Sequence, residues 1–296
     1  MKKYIKLSIR LIISVSLIFY LFYKVDIIHV ANSLILINPL FFLLASFLYI
    51  LSSYISTLRW KIFISNSELT TSKLFSIYLI GSFFNLALPG TVGGDIVKVF
   101  MIKEKTGVTE ALASVFIERY TGLAALLIIG FGFFCLFYRE IPKQPLIWTV
   151  PLSFFAFIIG TAFLLWISNF KFFKTFRDYI LSFQRKQIIQ ALVYSLGVQI
   201  IVILSVYVIF IGLNLSISFF KVAIFLPIII LITMLPISIS GTGVREWCFI
   251  LFFSNSLGQA NVVAVSILWF LSQVLASLVG GVEYLRLNKP LNIKKE

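Results

Sequence analysis

Six charged side chains stand inside stretches that are otherwise apolar: Asp95 and Lys98 in NLALPGTVGGDIVKVFM (85–101), Glu118 and Arg119 in ALASVFIERYTGL (111–123), and Arg245 and Glu246 in LPISISGTGVREW (235–247). A guanidinium binds phosphate through paired N–H donors, and an ammonium binds it as a point charge. The carboxylates would balance those cations in an empty site or hold a cationic headgroup, so the six predict a zwitterionic substrate-binding pocket. The same carboxylates could serve as acid or base in a group transfer. Hydrolysis through a nucleophile and a histidine base is not expected, because the single histidine, His29, lies in none of these stretches. No Cys/His/Asp grouping has metal-ligand spacing, Cys135 and Cys248 fall in apolar runs, and GTVGGD is neither a Walker loop nor a dinucleotide fingerprint. No metal, cofactor or catalytic residue is therefore expected.

The position of Glu118 and Arg119 sharpens the expectation. In a helix that begins near Thr109, Arg119 lies roughly 15 Å along the axis, close to the middle of a bilayer. A charge there costs on the order of 3 kcal/mol, so it must face protein or water. Successive residues point about 100° apart on a helix, which predicts that Glu118 and Arg119 pair with other elements rather than with each other. The competing reading is a buried ion pair that only locks helices together.

Two interrupted segments must position these groups. In the first, Asn85, Pro89, Gly90, Gly93 and Gly94 break an apolar helix; in the second, Pro236, Gly241 and Gly243 do so. Non-helical backbone at membrane depth survives only where protein buries it or where it lines a polar cavity. Pro236 follows Pro89 by 147 positions in a chain of 296, and paired Pro/Gly breaks at matching places in two halves point to the central site of a repeat-built transporter.

Sixty per cent hydrophobic residues, 12 % charged and a mean hydropathy of +1.05 exclude an ordinary soluble domain and predict an all-α polytopic membrane protein. At 33.7 kDa the spans consume nearly the whole chain, leaving one integral membrane domain (1–296) with no room for a separate soluble catalytic domain. The net charge of +14 clusters at Lys2 to Arg10, Arg59 to Lys73, Lys98 to Lys105, Lys171 to Lys186 and Arg286 to Lys295. Such clusters orient spans and hold anionic headgroups, so nucleic acid is not an expected partner. They place both termini in the cytoplasm, in a multi-pass protein of the cytoplasmic membrane. Six full spans are expected: Leu7 to Tyr23, Pro39 to Leu58, Thr109 to Tyr138, Leu146 to Ile167, Ile188 to Ile211 and Val262 to Leu285. The first resembles a signal peptide, but KVD follows it where a small-residue cleavage site would stand, so it is expected to be retained. Arg59 and Lys61 are expected to mark the cytoplasmic end of the second. Charge bias then turns about 74–105 and about 219–257 into two re-entrant hairpins of opposite orientation. The run from Lys171 to Lys186 is expected to lie on the inner leaflet. Ala276 with Gly280, and Ser277 with Gly281, have the small-xxx-small spacing of close helix approach.

The three stretches quoted above, in their order, resemble the signature stretches of the lysylphosphatidylglycerol synthase transmembrane-region family, also called flippase-like membrane proteins. The resemblance covers nearly the whole chain. It implies a polytopic inner-membrane protein that moves phospholipid or other lipid-linked headgroups between leaflets, with Asp95, Glu118, Arg119, Arg245 and Glu246 at the family's charged positions. Lys98 stands where an arginine is expected, which leaves a bidentate role there in doubt. The family's synthase carries a soluble aminoacyl-transferring domain that this chain lacks, so an enzyme is not the leading expectation. The leading function is a lipid flippase or scramblase acting on an anionic or zwitterionic phospholipid or a polyprenyl-phosphate-linked glycan. A membrane enzyme that transfers an aminoacyl or glycosyl group on a lipid carrier is the alternative, and a scaffold for such an enzyme is a third. A second copy of the chain or a lipid-modifying enzyme are candidate protein partners.

Overall fold

The computed structural model describes residue 19 and residues 25–66, 68–87, 93–140, 145–168, 174–235, 238 and 240–287. Among these, the ordered elements are all helical. In chain order they are α1 (Ile27–Ile35), α2 (Pro39–Ile62), α3 (Thr71–Ala87), α4 (Gly93–Thr106), α5 (Val108–Phe137), α6 (Thr149–Ile167), α7 (Lys174–Leu181), α8 (Arg185–Gly212), α9 (Phe219–Met234), α10 (Val244–Leu257) and α11 (Gln259–Leu287). Single turns of 3-10 helix stand at Tyr138–Glu140 and Pro145–Trp148, between α5 and α6.

Local sequence sets the starts. The Asp26 carboxylate accepts from the backbone N–H of Ile28 and His29 to cap α1, and Asn38 accepts from Leu40 N–H ahead of a proline at the first position of α2. Among the described residues, five helices are long and apolar enough to cross a bilayer: Pro39–Ile62, Val108–Phe137, Leu146–Ile167, Arg185–Gly212 and Gln259–Leu287. They match five of the six expected spans; the sixth, Leu7 to Tyr23, lies almost wholly outside the described residues. The helices between them are shorter. At about 1.5 Å per residue, α3 with 17 residues, α9 with 16, and α4 and α10 with 14 each fall short of about 30 Å of hydrocarbon. They form two helical pairs, α3/α4 and α9/α10. In the second, Phe225 stacks on Phe252 and the Lys221 ammonium donates to Ser256 Oγ, so the arms run antiparallel.

The two halves of the chain repeat one another. Ile27 and Lys174, Pro39 and Arg185, Thr71 and Phe219, Gly93 and Val244, and Val108 and Gln259 each open corresponding helices, 146 to 151 positions apart. Neighbours repeat as well: α3 packs on α11 as α9 packs on α5, α1 on α11 as α7 on α5, and α2 on α11 as α8 on α5. The most extensive pairing joins α2 to α8, the equivalent helices themselves. They run antiparallel, since Asn38 N–H donates to the Gly212 carbonyl at one end while Arg59 reaches Ser195 further along. A two-fold axis across these helices therefore relates the halves in inverted sense. The joints agree to within a few degrees: Gly107 (φ 83°, ψ 156°) links α4 to α5, and Gly258 (φ 79°, ψ 155°) links α10 to α11. Only glycine adopts that backbone conformation without strain.

Lipid tails are as apolar as the side chains, so close contact rather than water exclusion holds such helices together. Gly280 and Gly130 provide it at equivalent places. A Cβ on Gly280 would overlap the Leu79 carbonyl of α3, and one on Gly130 would press on Pro227 of α9 at 3.1 Å. Ala276 and Ser277 are buried in the same seam, and Gly281 lies against the Phe83 ring. The larger apolar core belongs to the second half, where Phe225, Phe249, Phe252 and Phe253 are buried with Phe210 and Trp269. Helix α6 packs on α5 and exposes Leu152, Phe155, Ile159 and Phe163, the surface of a helix wetted by lipid. The amphipathic α7 is tied down by Tyr179, whose hydroxyl donates to the Phe63 carbonyl at 2.6 Å. Burial, with the Glu110 carboxylate nearby, holds that phenol above its ordinary range.

Candidate functional site

In the first hairpin a missing side chain brings the arms together. Gly94, in the first turn of α4, lies directly against the Gly81 carbonyl of α3, where any Cβ would overlap, and Asn85 Oδ1 accepts from Gly94 N–H at 2.8 Å. The close approach carries Lys98, one turn along α4, into the bundle. It is 2 % exposed, with its ammonium 3.9 Å from the Tyr78 ring centre and 5.4 Å from that of Trp60. Lys98 Nζ stands 3.4 Å from Asp95 Oδ1 and 3.5 Å from Glu118 Oε2.

Helix α5 supplies the other charges. Arg119 meets Asp95 through two parallel contacts, Nε to Oδ2 at 2.8 Å and Nη2 to Oδ1 at 3.0 Å, the fork geometry that makes a guanidinium–carboxylate pair strong. Glu118 is buried, pairs with Arg59 of α2, and accepts from the Tyr78 hydroxyl at 3.3 Å. The ion pairs of Glu118 and Arg119 thus run to other helices. Arg59 also donates to Ser195 Oγ of α8 at 3.0 Å, and Gly122 leaves room for its guanidinium.

The second hairpin is built differently. Its tip turns through Ser240, Gly241 and Gly243, all at positive φ, with Gly241 against Thr233 of α9. Arg245 and Glu246 are sequence neighbours that do pair with each other, Nη2 to Oε1 at 2.6 Å. Ser266 of α11 bridges them, and the Gly243 N–H donates to the other Glu246 oxygen at 2.7 Å. The Arg245 guanidinium lies 4.6 Å from the Phe270 ring centre.

Between the halves lies a cavity of about 350 Å³. Lys98, Glu118 and Arg119 line it from the first half and Arg245 from the second, while Asp95 and Glu246 stand behind and hold the two arginines. The α2 face adds Tyr49, Ser52, Ser53, Ser56 and Arg59; Asn85, Gln199 and Gln273 complete a mostly uncharged polar wall. Among the turn residues, Asn85 lines the cavity, Gly93 and Gly94 begin α4, and Gly241 and Gly243 shape the second tip; Pro89, Gly90 and Pro236 lie outside the described residues.

Arg59 differs from its expected place. Basic residues at the end of an apolar run suggest a membrane edge, and Lys61 follows that pattern by donating to Thr71 Oγ1 on an exposed face. Arg59 instead is 4 % exposed and belongs to the cavity. The signal available in the sequence was its spacing: Ser52, Ser56 and Arg59 fall at helical intervals on one face, a polar stripe that continues the cavity wall.

Residues 7–281 match the family model described as Lysylphosphatidylglycerol synthase TM region. No curated protein matches the chain.

Proposed function

The chain belongs to the lysylphosphatidylglycerol synthase transmembrane-region family, and from that premise we propose that it passes the phosphate-bearing headgroup of a membrane lipid between the leaflets of the cytoplasmic membrane. The observation that carries this reading is the cavity at the junction of two inverted halves, lined by Lys98, Glu118 and Arg119 on one side and Arg245 on the other. The hairpins, too short to cross, enter from opposite faces with both termini cytoplasmic, and their tips frame the polar path. Acyl chains remain in lipid while the headgroup meets guanidinium and ammonium groups that offset its lost hydration. The site comprises Asp95, Lys98, Glu118, Arg119, Arg245 and Glu246, with Arg59 added.

The test is reconstitution of the full chain into vesicles of phosphatidylcholine and phosphatidylglycerol carrying a trace of fluorescent phosphatidylglycerol, with dithionite added outside. Wild-type protein is expected to expose the inner-leaflet fluorophore to quenching. Arg119→Ala and Arg245→Ala are expected to slow that phase at least about tenfold, the cost of losing one charge-assisted contact. Unchanged rates in both variants, with helical content retained, would overturn the reading.

A further inference from the structure

We infer that Lys221 anchors the phosphate of a phospholipid at the end of the α9/α10 pair remote from the cavity, in a second anion site that shares no residue with it. Lys221 stands in the first turn of α9 and is 6 % exposed. The cavity touches α9 only from Ile230 onward, roughly 14 Å further along the axis. The Lys221 ammonium donates to Ser256 Oγ, near the end of α10, at 3.2 Å, its one polar contact among the described residues. The other buried cations among those residues, Arg59, Lys98 and Arg245, each meet a carboxylate; Lys221 meets none. The sequence holds no acid between Asp178 and Glu246, and none from there to Glu283, so the helices around Lys221 have no counter-charge to offer.

Helix dipoles do not supply one. The first turn of α9 and the last turn of α10 lie side by side, so roughly half a positive charge faces roughly half a negative one, and the two offset each other. Lys221 keeps its charge. Ser218, which begins α9, makes no side-chain cap bond and leaves the first-turn N–H groups uncapped at the same end. A helical side chain leans toward the N-terminus of its helix, which sets the ammonium beside those N–H groups. Ammonium, backbone donors and a hydroxyl converge there as they do on a bound phosphate.

The other half of the repeat has what this end lacks. Counted from the paired helix starts, Thr71 with Phe219 and Gly93 with Val244, Lys221 answers to Lys73, Ser216 to Glu68 and Ser256 to Lys105. There Lys73 is exposed, and Lys105 pairs with Glu68 at 3.5 Å. In the second half the cation is covered and an exposed serine stands in place of the acid. A buried ammonium without a counter-charge is costly, and a guest oxyanion offsets that cost. The surroundings favour one carried by a lipid. Phe219 meets Tyr207 edge-on with ring centres 5.4 Å apart, and Phe220 stacks on Phe137 at 3.8 Å, half-buried rings beside exposed Asn214, Ser216 and Ser218. Aromatic rings next to uncharged polar groups suit acyl chains on one side and a headgroup on the other. With both termini cytoplasmic, this end faces the outer leaflet.

Two measurements on the purified full-length chain test the site. In delipidated protein, thermal unfolding of Lys221→Met is expected at or above the wild-type midpoint, because an uncompensated buried charge has been removed. A lower midpoint would show that the protein itself satisfies the ammonium, and would overturn the inference. In the second, p-benzoylphenylalanine replaces the exposed Ser218, the protein is irradiated with dioctanoyl phosphatidylglycerol or with dioctanoylglycerol, and adducts are counted by intact mass. The phosphate-bearing lipid is expected to label at least about fivefold more than the phosphate-free one, and Lys221→Met to abolish that preference. Arg119→Ala is expected to leave the preference in place; its loss there would put the label in the cavity and overturn a separate site. Inorganic phosphate in large excess distinguishes the sources: failure to compete supports a lipid-borne phosphate, and full competition overturns the lipid in favour of a free oxyanion. Equal labelling by the two lipids, or a preference that survives Lys221→Met, overturns the site itself.

Discussion

Removing one partner of the Arg59–Glu118 pair strands the other, and the size of that penalty can be reasoned from the structure. The side chains are 5 % and 1 % exposed, so neither charge can turn to bulk water. Breaking a buried ion pair from one side costs about 3–5 kcal/mol, because the remaining charge keeps its desolvation penalty and loses its attraction. Arg59→Met should therefore destabilise the protein by about 3 kcal/mol, toward the low end of that range, since Glu118 keeps Lys98 Nζ at 3.5 Å. Glu118→Gln should cost more, because both Arg59 and Lys98 lose their counter-charge. The double variant Arg59→Met with Glu118→Gln should be less destabilised than the sum of the singles by about 2 kcal/mol, a coupling within the range of contacting residues. Thermal unfolding in a single detergent, followed by tryptophan fluorescence and closed as a four-way cycle, reads this directly. At about 2–4 °C per kcal/mol for a chain of this order, the Arg59→Met midpoint should fall by roughly 6–12 °C. Additive effects, with coupling below about 0.5 kcal/mol, would refute the view that the two charges are sheltered together.

Two further outcomes follow from backbone geometry. Alanine at Gly107 or Gly258 has open space around its Cβ, yet each should cost about 1–3 kcal/mol because the dihedrals are glycine's alone, and the two losses should be similar in a thermal-shift comparison. Leucine at Gly280, which would overlap the Leu79 carbonyl, should abolish monodisperse protein on size exclusion, whereas leucine at Gly160, whose Cβ meets nothing, should leave the stability within about 0.5 kcal/mol of wild type.

Much of this fold was legible because hydropathy and charge bias are additive over long windows. Five of the spans follow from runs of apolar residues and from where Lys and Arg collect, and a one-residue error hardly matters there. The pairings were less accessible. That Glu118 and Arg119 look to different helices follows from the turn angle alone, but the same rule gives no reason for Arg245 to hold Glu246. That contact depends on both side chains bending around Ser266, a residue of another helix. Arg59 escaped because a basic residue at the end of an apolar run is ordinarily a membrane-edge residue, and only the tertiary contact with Glu118 distinguishes it from Lys61. The repeat was visible in two Pro/Gly breaks. Its full extent emerged only from element starts and shared neighbours, since few residues at equivalent positions are alike.

The joint at Gly107 also has a mechanical side. One residue separates α4 from α5, and the N–H of Gly107 is itself bound to the Lys103 carbonyl at 2.8 Å. Asp95 and Arg119, one on each helix, are the two arms of a single short elbow. The fork between the two side chains closes the open side of that elbow, one end of it on each helix.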